Sequence, residues 1–302
     1  MATINIRGFE CRYELSGNQE ATETLVFING IAGALESWGA VIPMFHDNFK
    51  VITYDCRGQW FSEVTAPPYT FHDQAEDLIA LLDALGVYEA HVVGTSLGGE
   101  IAMRFALMYP NRAKTLSVVA SVSELDPLVS SMVKRWKRSA GRVLEVFDKV
   151  DDEKIRRQAA IDFYEDIIPE LFCAEFMTKR SEIVMARKQV FESVSHRDFF
   201  EGFIYLSDMF QRLEHEECLT GQIRYIQTPT LVISAENDLI KPPRFGQIIA
   251  NEIPGAYFQV FRNCGHAVML EKPIQLAQSL YGFMQANVLD HKEIQSRVVN
   301  GE

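Results

Sequence analysis

The chain has 302 residues, of which 47% are hydrophobic and 23% are charged, a composition typical of a globular protein with a large core. Its formal net charge of −12 disfavours nucleic-acid binding, because an acidic surface repels a phosphate backbone. The 5 cysteines form no CxxC pair, and no His/Cys cluster has metal-ligand spacing, so we expect no metal site. The sequence contains neither an apolar run long enough to span a bilayer nor a recognisable cleavable leader, which together favour a cytoplasmic protein.

Apolar strands alternate with helices over the first part of the chain. We predict strands at 3–7, 11–15, 24–30, 49–58, 90–94 and 115–121, and helices at 73–85 and 97–109. Asp73 is the predicted N-cap of the first helix, and Gly86 is its predicted stop. The alternation predicts an α/β fold in which a mostly parallel sheet is covered by helices on both faces.

A long helical segment then interrupts the alternation. Residues 122–227 are almost entirely helical in pattern and rich in aromatic side chains. The strand–helix pattern returns afterwards, with segments at 228–238, 243–252, 256–261 and 273–288. We therefore predict a core domain made of 1–121 and 228–302, with a helical cap domain, 122–227, inserted after the sixth strand. Such a cap would lie over the carboxyl edge of the sheet, where open α/β sheets bind ligands.

The sequence GTSLGG, residues 94–99, places Ser96 where a predicted strand gives way to a helix. A sharp turn of this kind exposes a side chain at the edge of the sheet, and Gly94 and Gly98 relieve crowding around it. The same residues would suit a phosphate-binding loop or an ordinary turn, although a phosphate loop needs a nearby lysine that GTSLGGE lacks. A nucleophilic serine would require a histidine and an acid elsewhere in the chain.

Candidates for both partners follow later predicted strands. Asp238 lies in AENDLIKPP after the strand LVISA, and His266 lies in NCGHAVMLEKP after AYFQVF. At a shared sheet edge Ser96 would attack a carbonyl, His266 would take its proton, and Asp238 would orient the histidine. The backbone N–H groups of Leu97 and Ile31 would form an oxyanion hole. Since every reacting group is then a protein group, no cofactor is expected.

These motifs resemble those of the α/β-hydrolase superfamily, in particular a serine-nucleophile member with an inserted helical cap. The resemblance covers nearly the whole chain and rests on five segments: NGIAGALESW (29–38), DCRGQWFS (55–62), GTSLGG (94–99), ENDLIKP (236–242) and NCGHAVMLEKP (263–273). It implies the α/β-hydrolase fold and a catalytic triad of Ser96, Asp238 and His266. It also implies that Ile31 and Leu97 supply the oxyanion donors.

Two positions depart from the common pattern of the superfamily. Asn29 precedes Gly30 in the oxyanion loop, where the family usually has His-Gly. We expect the asparagine to hold this loop by hydrogen bonding. Trp60 stands where the family commonly has a glycine, so its bulk must be buried or extend over another group.

A second position is open for the acid. Some relatives place it after the preceding strand, where Glu124 or Asp126 stands here, although the loop around Asp238 matches the usual acid loop better. Ser121, Ser123 and Glu124 follow the same strand. They would either line the site or, as we prefer, belong to a helix cap at the entry to the helical segment.

The triad chemistry indicates acyl transfer to water but does not specify the acyl group. The aromatic and methionine content of the cap suggests an apolar pocket. We therefore predict a carboxylesterase or lactonase whose partner is a small-to-medium apolar acyl substrate. A C–C bond hydrolase, thioesterase or perhydrolase with the same triad is the alternative, as is a low-turnover ligand receptor or partner-binding protein. The basic run at 134–142 is interpreted as a solvated helix face.

Overall fold

An eight-stranded sheet forms the centre of the protein, for which the computed structural model describes residues 2–194 and 196–300. Its strands are β1 (Ala2–Ile6), β2 (Phe9–Gly17), β3 (Glu23–Ile28), β4 (Phe49–Tyr54), β5 (Ala90–Thr95), β6 (Ala113–Val119), β7 (Thr230–Ala235) and β8 (Tyr257–Phe261). They are ordered β1-β2-β4-β3-β5-β6-β7-β8. Strand β2 is antiparallel to β1 and β4, and the other neighbouring strands are parallel. The predicted mostly parallel sheet is confirmed.

Helices cover both faces of this sheet, and one group of helices lies between two of its strands in the sequence. They are α1 (Phe71–Ala84), α2 (Leu97–Met108), α3 (Pro127–Lys149), α4 (Glu153–Leu171), α5 (Ala174–Lys179), α6 (Ser181–Val194), α7 (Arg197–Gln211), α8 (Pro243–Glu252), α9 (Val268–Glu271) and α10 (Pro273–Asn300). Among the described residues, no helix is both long enough and apolar enough to cross a membrane.

The two faces of the sheet carry separate apolar cores. Successive residues of a strand point to opposite faces, and Val92 accordingly belongs to one buried cluster and Val93 to the other. Strand β3 shows the same division at Val26 and Phe27. All six residues of β5 are buried, as are all six of β7, because helices cover the central strands on both sides.

The ends of α1 correct one prediction. The N-cap is Thr70, not Asp73: the Thr70 hydroxyl accepts a hydrogen bond from the Asp73 backbone N–H at 2.9 Å. Asp73 instead occupies the third helical position, where its carboxylate accepts a hydrogen bond from the Thr70 hydroxyl at 2.6 Å. The predicted stop at Gly86 is confirmed, because Gly86 has φ +69° and donates to the Asp83 carbonyl after the last helical turn.

The cap inserted after the sixth strand consists of α3–α7, which lie between β6 and β7. Its centre is a cluster of buried, mutually packed rings, with Phe163 and Phe203 centroids 5.0 Å apart at 85°. The basic run of α3 is paired with acidic side chains, including Arg135 with Glu170 and Lys137 with Asp208. Because these two basic side chains are also partly exposed, the structure agrees with the interpretation of 134–142 as a solvated helix face. The exact domain bounds stay a prediction.

Candidate active site

Ser96 occupies a strained turn between β5 and α2. Its backbone has φ 51° and ψ −122°, a conformation that non-glycine residues adopt mainly at functional sites. A Cβ atom at Gly94 would lie 2.0 Å from the Gly98 carbonyl oxygen, and one at Gly98 would lie 2.3 Å from the Ile28 oxygen. Both positions therefore require glycine for close backbone packing. This packing holds the serine at the carboxyl edge of the sheet.

The structure brings the three predicted side chains together at this edge. His266 Nε2 lies 2.9 Å from Ser96 Oγ, and His266 Nδ1 lies 2.8 Å from Asp238 Oδ2. All three residues are buried, with between 3% and 7% of their surface exposed. Asp238 Oδ1 accepts the backbone N–H groups of Ile240 and Lys241, each at 2.8 Å. These bonds fix the carboxylate in its orientation toward the histidine.

The hydrogen-bond partners determine the tautomer of His266. The Asp238 carboxylate only accepts, so Nδ1 must carry the proton and donate it. Nε2 is then free to accept from the Ser96 hydroxyl. The arrangement can take a proton from Ser96 and stabilise the resulting imidazolium beside a buried carboxylate.

The two acids that follow β6 lie in a different environment. The Asp126 carboxylate accepts the Val129 backbone N–H at 2.8 Å, which makes it the N-cap of α3, and it also pairs with Arg244. Within the described part of the chain, neither Glu124 nor Asp126 hydrogen-bonds to His266. The helix cap of this segment is therefore Asp126, and the preferred interpretation of Ser121 and Ser123 as cap residues is wrong. Ser121 Oγ bonds to Glu100 and the Ser96 carbonyl, and Ser123 Oγ bonds to Thr220 Oγ1.

The predicted oxyanion donors flank the serine. Ile31, Leu97 and Ser96 line a small cavity of about 20 Å³. Among the described residues, no carbonyl accepts a hydrogen bond from the backbone N–H of Ile31 or of Leu97. Leu97 is the first residue of α2, so its N–H also lies at the positive end of the helix dipole. Both groups are available to a developing oxyanion.

Asn29 holds the oxyanion loop, as expected from its side chain. Its Nδ2 donates to the Tyr54 carbonyl at 3.0 Å, and its Oδ1 accepts from Trp38 Nε1 at 2.7 Å. One residue along, the Gly30 carbonyl accepts from Gln59 Nε2 at 2.8 Å. The loop is therefore tied to β4 and to the segment that follows β4.

Trp60 is both buried and part of the pocket wall. Only 6% of its surface is exposed, its Nε1 donates to the Ala32 carbonyl at 3.0 Å, and its ring centroid lies 4.5 Å from that of Phe199. Its backbone has φ 45°, in the region that glycine adopts most easily. The contacts of the indole with the loop after β3 and with α7 balance this unfavourable conformation.

A cavity of about 290 Å³ opens between Ser96, His266 and the cap. Its cap wall is mainly apolar and includes Trp136, Phe163, Tyr164, Ile167 and Phe191. The cavity is large enough for a small organic molecule and can exclude water from most of its surface. Other cap aromatics, including Phe199 and Phe200, do not line the cavity and pack in the buried core of the cap.

The sequence analysis missed a buried ion pair behind the serine. Glu100, in the first turn of α2, accepts from Lys241 Nζ and from the Val122 backbone N–H, at 2.8 and 2.9 Å. Ser121 Oγ lies within hydrogen-bonding distance of Glu100 Oε1 and of the Ser96 carbonyl oxygen. Burial lowers the pKa of Lys241. A charged residue in the otherwise apolar start of α2 was the signal available in the sequence.

No metal centre is apparent in the part of the chain that the structure describes, where no three His, Cys, Asp or Glu side chains cluster suitably. The groups that meet at Ser96 are its hydroxyl, the His266 imidazole with the Asp238 carboxylate behind it, and two backbone N–H groups. These groups suffice for nucleophilic attack on a carbonyl carbon.

Comparisons with known proteins agree with this architecture. The family model described as alpha/beta hydrolase fold matches residues 23–273. A relative from Pantoea ananatis, named "Putative carbamate hydrolase RutD", is 26% identical over 281 residues, covering 90% of this chain and 92% of its own. The crystal structure of MGS-M2, an alpha/beta hydrolase enzyme from a Medee basin deep-sea metagenome library, superposes with a TM-score of 0.82 at 27% identity, covering 94% of this chain and 97% of its own. Est816, described as an N-acyl homoserine lactone degrading enzyme, gives a TM-score of 0.73 at 25% identity, covering 93% of this chain and 100% of its own.

Proposed function

We propose that this chain, which belongs to the α/β-hydrolase family, is a serine hydrolase that cleaves a carboxylic ester or lactone. Its substrate would be a small-to-medium apolar molecule, and the reaction would pass through an acyl-enzyme on Ser96. The observation that carries the proposal is the continuous hydrogen-bonded chain Ser96–His266–Asp238, with contacts of 2.9 and 2.8 Å, at the floor of an apolar cavity.

Acylation follows from the arrangement of these groups. Ser96 Oγ attacks the carbonyl carbon while His266 Nε2 takes the hydroxyl proton. The negative charge that develops on the carbonyl oxygen is received by the N–H groups of Ile31 and Leu97. Asp238 stabilises the imidazolium. Collapse of the tetrahedral intermediate breaks the ester bond, and the imidazolium gives its proton to the departing alkoxide.

Deacylation repeats the same steps with water. His266 removes a proton from a water molecule, whose oxygen attacks the acyl carbon. The acid is released when the proton returns to Ser96 Oγ. With a lactone the alcohol and acid are one molecule, so a single hydroxy acid leaves.

The cavity supports an apolar substrate. Aromatic and aliphatic side chains of the cap form most of its wall, and Trp60 narrows it from the core side. A volume of about 290 Å³ lies near the lower end of the range for small-molecule sites. We therefore expect acyl chains of short to medium length to fit best.

Hydrolysis of p-nitrophenyl esters from C2 to C12 tests the proposal, with wild type, Ser96→Ala and a fluorophosphonate probe. We expect turnover in the wild type that is lost in Ser96→Ala, and covalent labelling that requires Ser96. The acyl chain length that is hydrolysed fastest indicates the size of the pocket. Labelling without ester turnover would overturn the carboxylesterase assignment and favour a specific lactone or a C–C bond as the substrate. The absence of both would point to a ligand receptor.

Carbamate hydrolysis is the second candidate. It is favoured by the likeness to the Pantoea protein over 90% of this chain. A carbamate presents the same carbonyl carbon and the same developing oxyanion, so Ser96, His266 and the two N–H donors would keep their roles. Assaying p-nitrophenyl carbamates beside matched esters distinguishes the two. C–C bond hydrolysis, thioester hydrolysis and perhydrolysis are reactions that the same triad could also support, and each would need its own substrate in the assay.

We also propose that the chain has a core domain, 1–121 and 228–302, and a cap domain, 122–227. The order of elements supports these bounds, because β6 ends at Val119, β7 begins at Thr230, and α3–α7 lie between them.

A further inference from the structure

The mainly apolar cavity carries two charged groups that an apolar substrate does not need, the guanidinium of Arg187 and the carboxylate of Glu36. Arg187 lies on α6, and its side chain lines the cavity together with Ser96 and His266. It is partly buried, and burial lowers its pKa. A cation in such a wall is costly unless it is paired.

Arg187 has little compensation within the described residues. Its one hydrogen bond there is to Ser37 Oγ at 3.4 Å, which is long, and no carboxylate lies within salt-bridge distance. Glu36 lines the same cavity and its charge acts on Arg187, but its carboxylate is half-exposed and forms its ion pair with Arg12. Arg12 in turn bonds Asp55 at 2.8 Å. The donors of Arg187 are therefore available to a ligand.

Two further polar groups lie on the same side of the cavity. Ser37 and Tyr164 both line it beside Arg187. Burial raises the pKa of Tyr164 to about 12 even though the Arg187 charge opposes this, so its phenol remains a neutral hydrogen-bond donor. The Tyr164 ring is stacked against Phe191, with centroids 5.0 Å apart, which positions the hydroxyl. A guanidinium fork and a phenol together match the donor needs of a carboxylate.

We propose that Arg187 determines specificity at the end of the substrate remote from the reacting carbonyl, and that this end carries a carboxylate. The proposal rests on the hydrolase function above and refines it. The substrate is then an apolar chain or ring with a terminal anion, whose body contacts the cap aromatics while Ser96 attacks its carbonyl. Binding of the carboxylate supplies the hydrogen-bonded ion pair that Arg187 lacks within the described part of the chain.

Two matched substrate pairs test the proposal, one with the carboxylate on the acyl side of the ester bond and one with the carboxylate on the alcohol side. Mono-p-nitrophenyl adipate is compared with p-nitrophenyl hexanoate, and 4-acetoxybenzoate with phenyl acetate. The enzymes are wild type, Arg187→Gln, Arg187→Lys and the control Arg180→Gln. Arg180 precedes α6, pairs with Glu182 and does not line the cavity. Protection of Ser96 from a fluorophosphonate probe by adipate gives a readout that needs no turnover.

In Arg187→Gln we expect kcat/KM for the carboxylate member of at least one pair to fall about 10- to 100-fold, the loss typical of a charged hydrogen bond. The neutral member should change little. Arg187→Lys should retain part of the preference, because it keeps the charge without the fork. Adipate should protect wild type but not Arg187→Gln, and Arg180→Gln should behave as wild type.

Equal effects on both members of each pair, or no effect, would overturn the role of Arg187. If the wild type cleaves the neutral esters but prefers neither carboxylate ester and is not protected by adipate, the hydrolase function stands and only the role of Arg187 is overturned. Loss of both turnover and labelling would instead overturn the hydrolase function.

Discussion

Lys241 Nζ lies 2.8 Å from Glu100 Oε1, and the two side chains are only 2% and 0% exposed. The pair joins two elements of the candidate site. Glu100 stands one turn after Ser96 on α2, and the backbone N–H of Lys241 donates to Asp238. The ammonium also lies 4.5 Å from the Phe210 ring centroid, which links the pair to the cap.

Breaking this pair from one side should be strongly destabilising. In Lys241→Met the Glu100 carboxylate is left buried without its counter-charge, so we expect the free energy of unfolding to fall by about 3–5 kcal/mol. Removing both charges in Glu100→Gln/Lys241→Met should restore most of this loss, because no buried charge remains and the glutamine oxygen can still accept the Val122 N–H. Urea unfolding followed by circular dichroism measures both variants. A double variant no more stable than Lys241→Met would contradict a charge-based explanation.

Asp238→Asn should abolish most activity without disturbing the fold. An amide can donate to His266 Nδ1 and so stabilise the wrong tautomer, and a loss of about 10⁴-fold in kcat is expected by analogy with other triads. Asp126→Asn is the matched control, because asparagine also caps helices well. It should keep kcat within a few-fold of wild type. The ester assay that decides the function measures both. A large loss in Asp126→Asn with little change in Asp238→Asn would reverse the assignment of the acid.

The sequence predicted the parts of the protein that depend on local pattern. Ser96 was found because its turn needs small neighbours at fixed spacing, and the strand ends then placed Asp238 and His266 at the same edge. The Glu100–Lys241 contact joins residues 141 positions apart, and no periodicity reports such a pairing. The predicted N-cap of α1 was wrong because Asp73 and Thr70 are both residue types that cap helices, and only the backbone geometry at Thr70 distinguishes them.

Glu23 should make stability depend on acid pH. Its carboxylate bonds His91 Nε2 at 3.1 Å and Lys114 Nζ at 2.7 Å, and these contacts lower the pKa of Glu23 to about 2. Because the unfolded pKa is near the ordinary value of about 4.3, the stabilisation is complete above about pH 5 and disappears as the pH falls toward 2.

Glu23→Gln should therefore lower the free energy of unfolding by about 2 kcal/mol at pH 7, and the difference from wild type should shrink below pH 5. Urea titrations at pH 7, 5, 4 and 3 follow this change. Glu89→Gln is the control, since Glu89 lies 3.8 Å from the same lysine but is about half exposed, and its effect should be small. A difference between wild type and Glu23→Gln that is independent of pH would contradict the prediction.

Gly202 sets how closely the cap approaches the core. It lies in α7, and a Cβ atom there would stand 2.0 Å from the Gly58 carbonyl oxygen in the loop after β4. Gly202→Ala must therefore displace α7, which carries Phe199 against Trp60 and Phe203 at the cavity wall. We expect stability to fall by about 1–3 kcal/mol and kcat/KM for esters to fall by about tenfold or more, because small displacements of positioning groups strongly affect rates.

Gly141→Ala is the matched substitution elsewhere in the cap. Gly141 lies inside α3, and a Cβ atom there meets nothing within 4 Å. Alanine should raise stability by about 0.5–1 kcal/mol, since it favours the helix and restricts the unfolded chain, and activity should be unchanged. Urea unfolding and ester kinetics on the two variants separate a general effect of alanine in the cap from the specific contact at Gly58. If Gly202→Ala matched Gly141→Ala in both measurements, α7 could not be held against the core at Gly58.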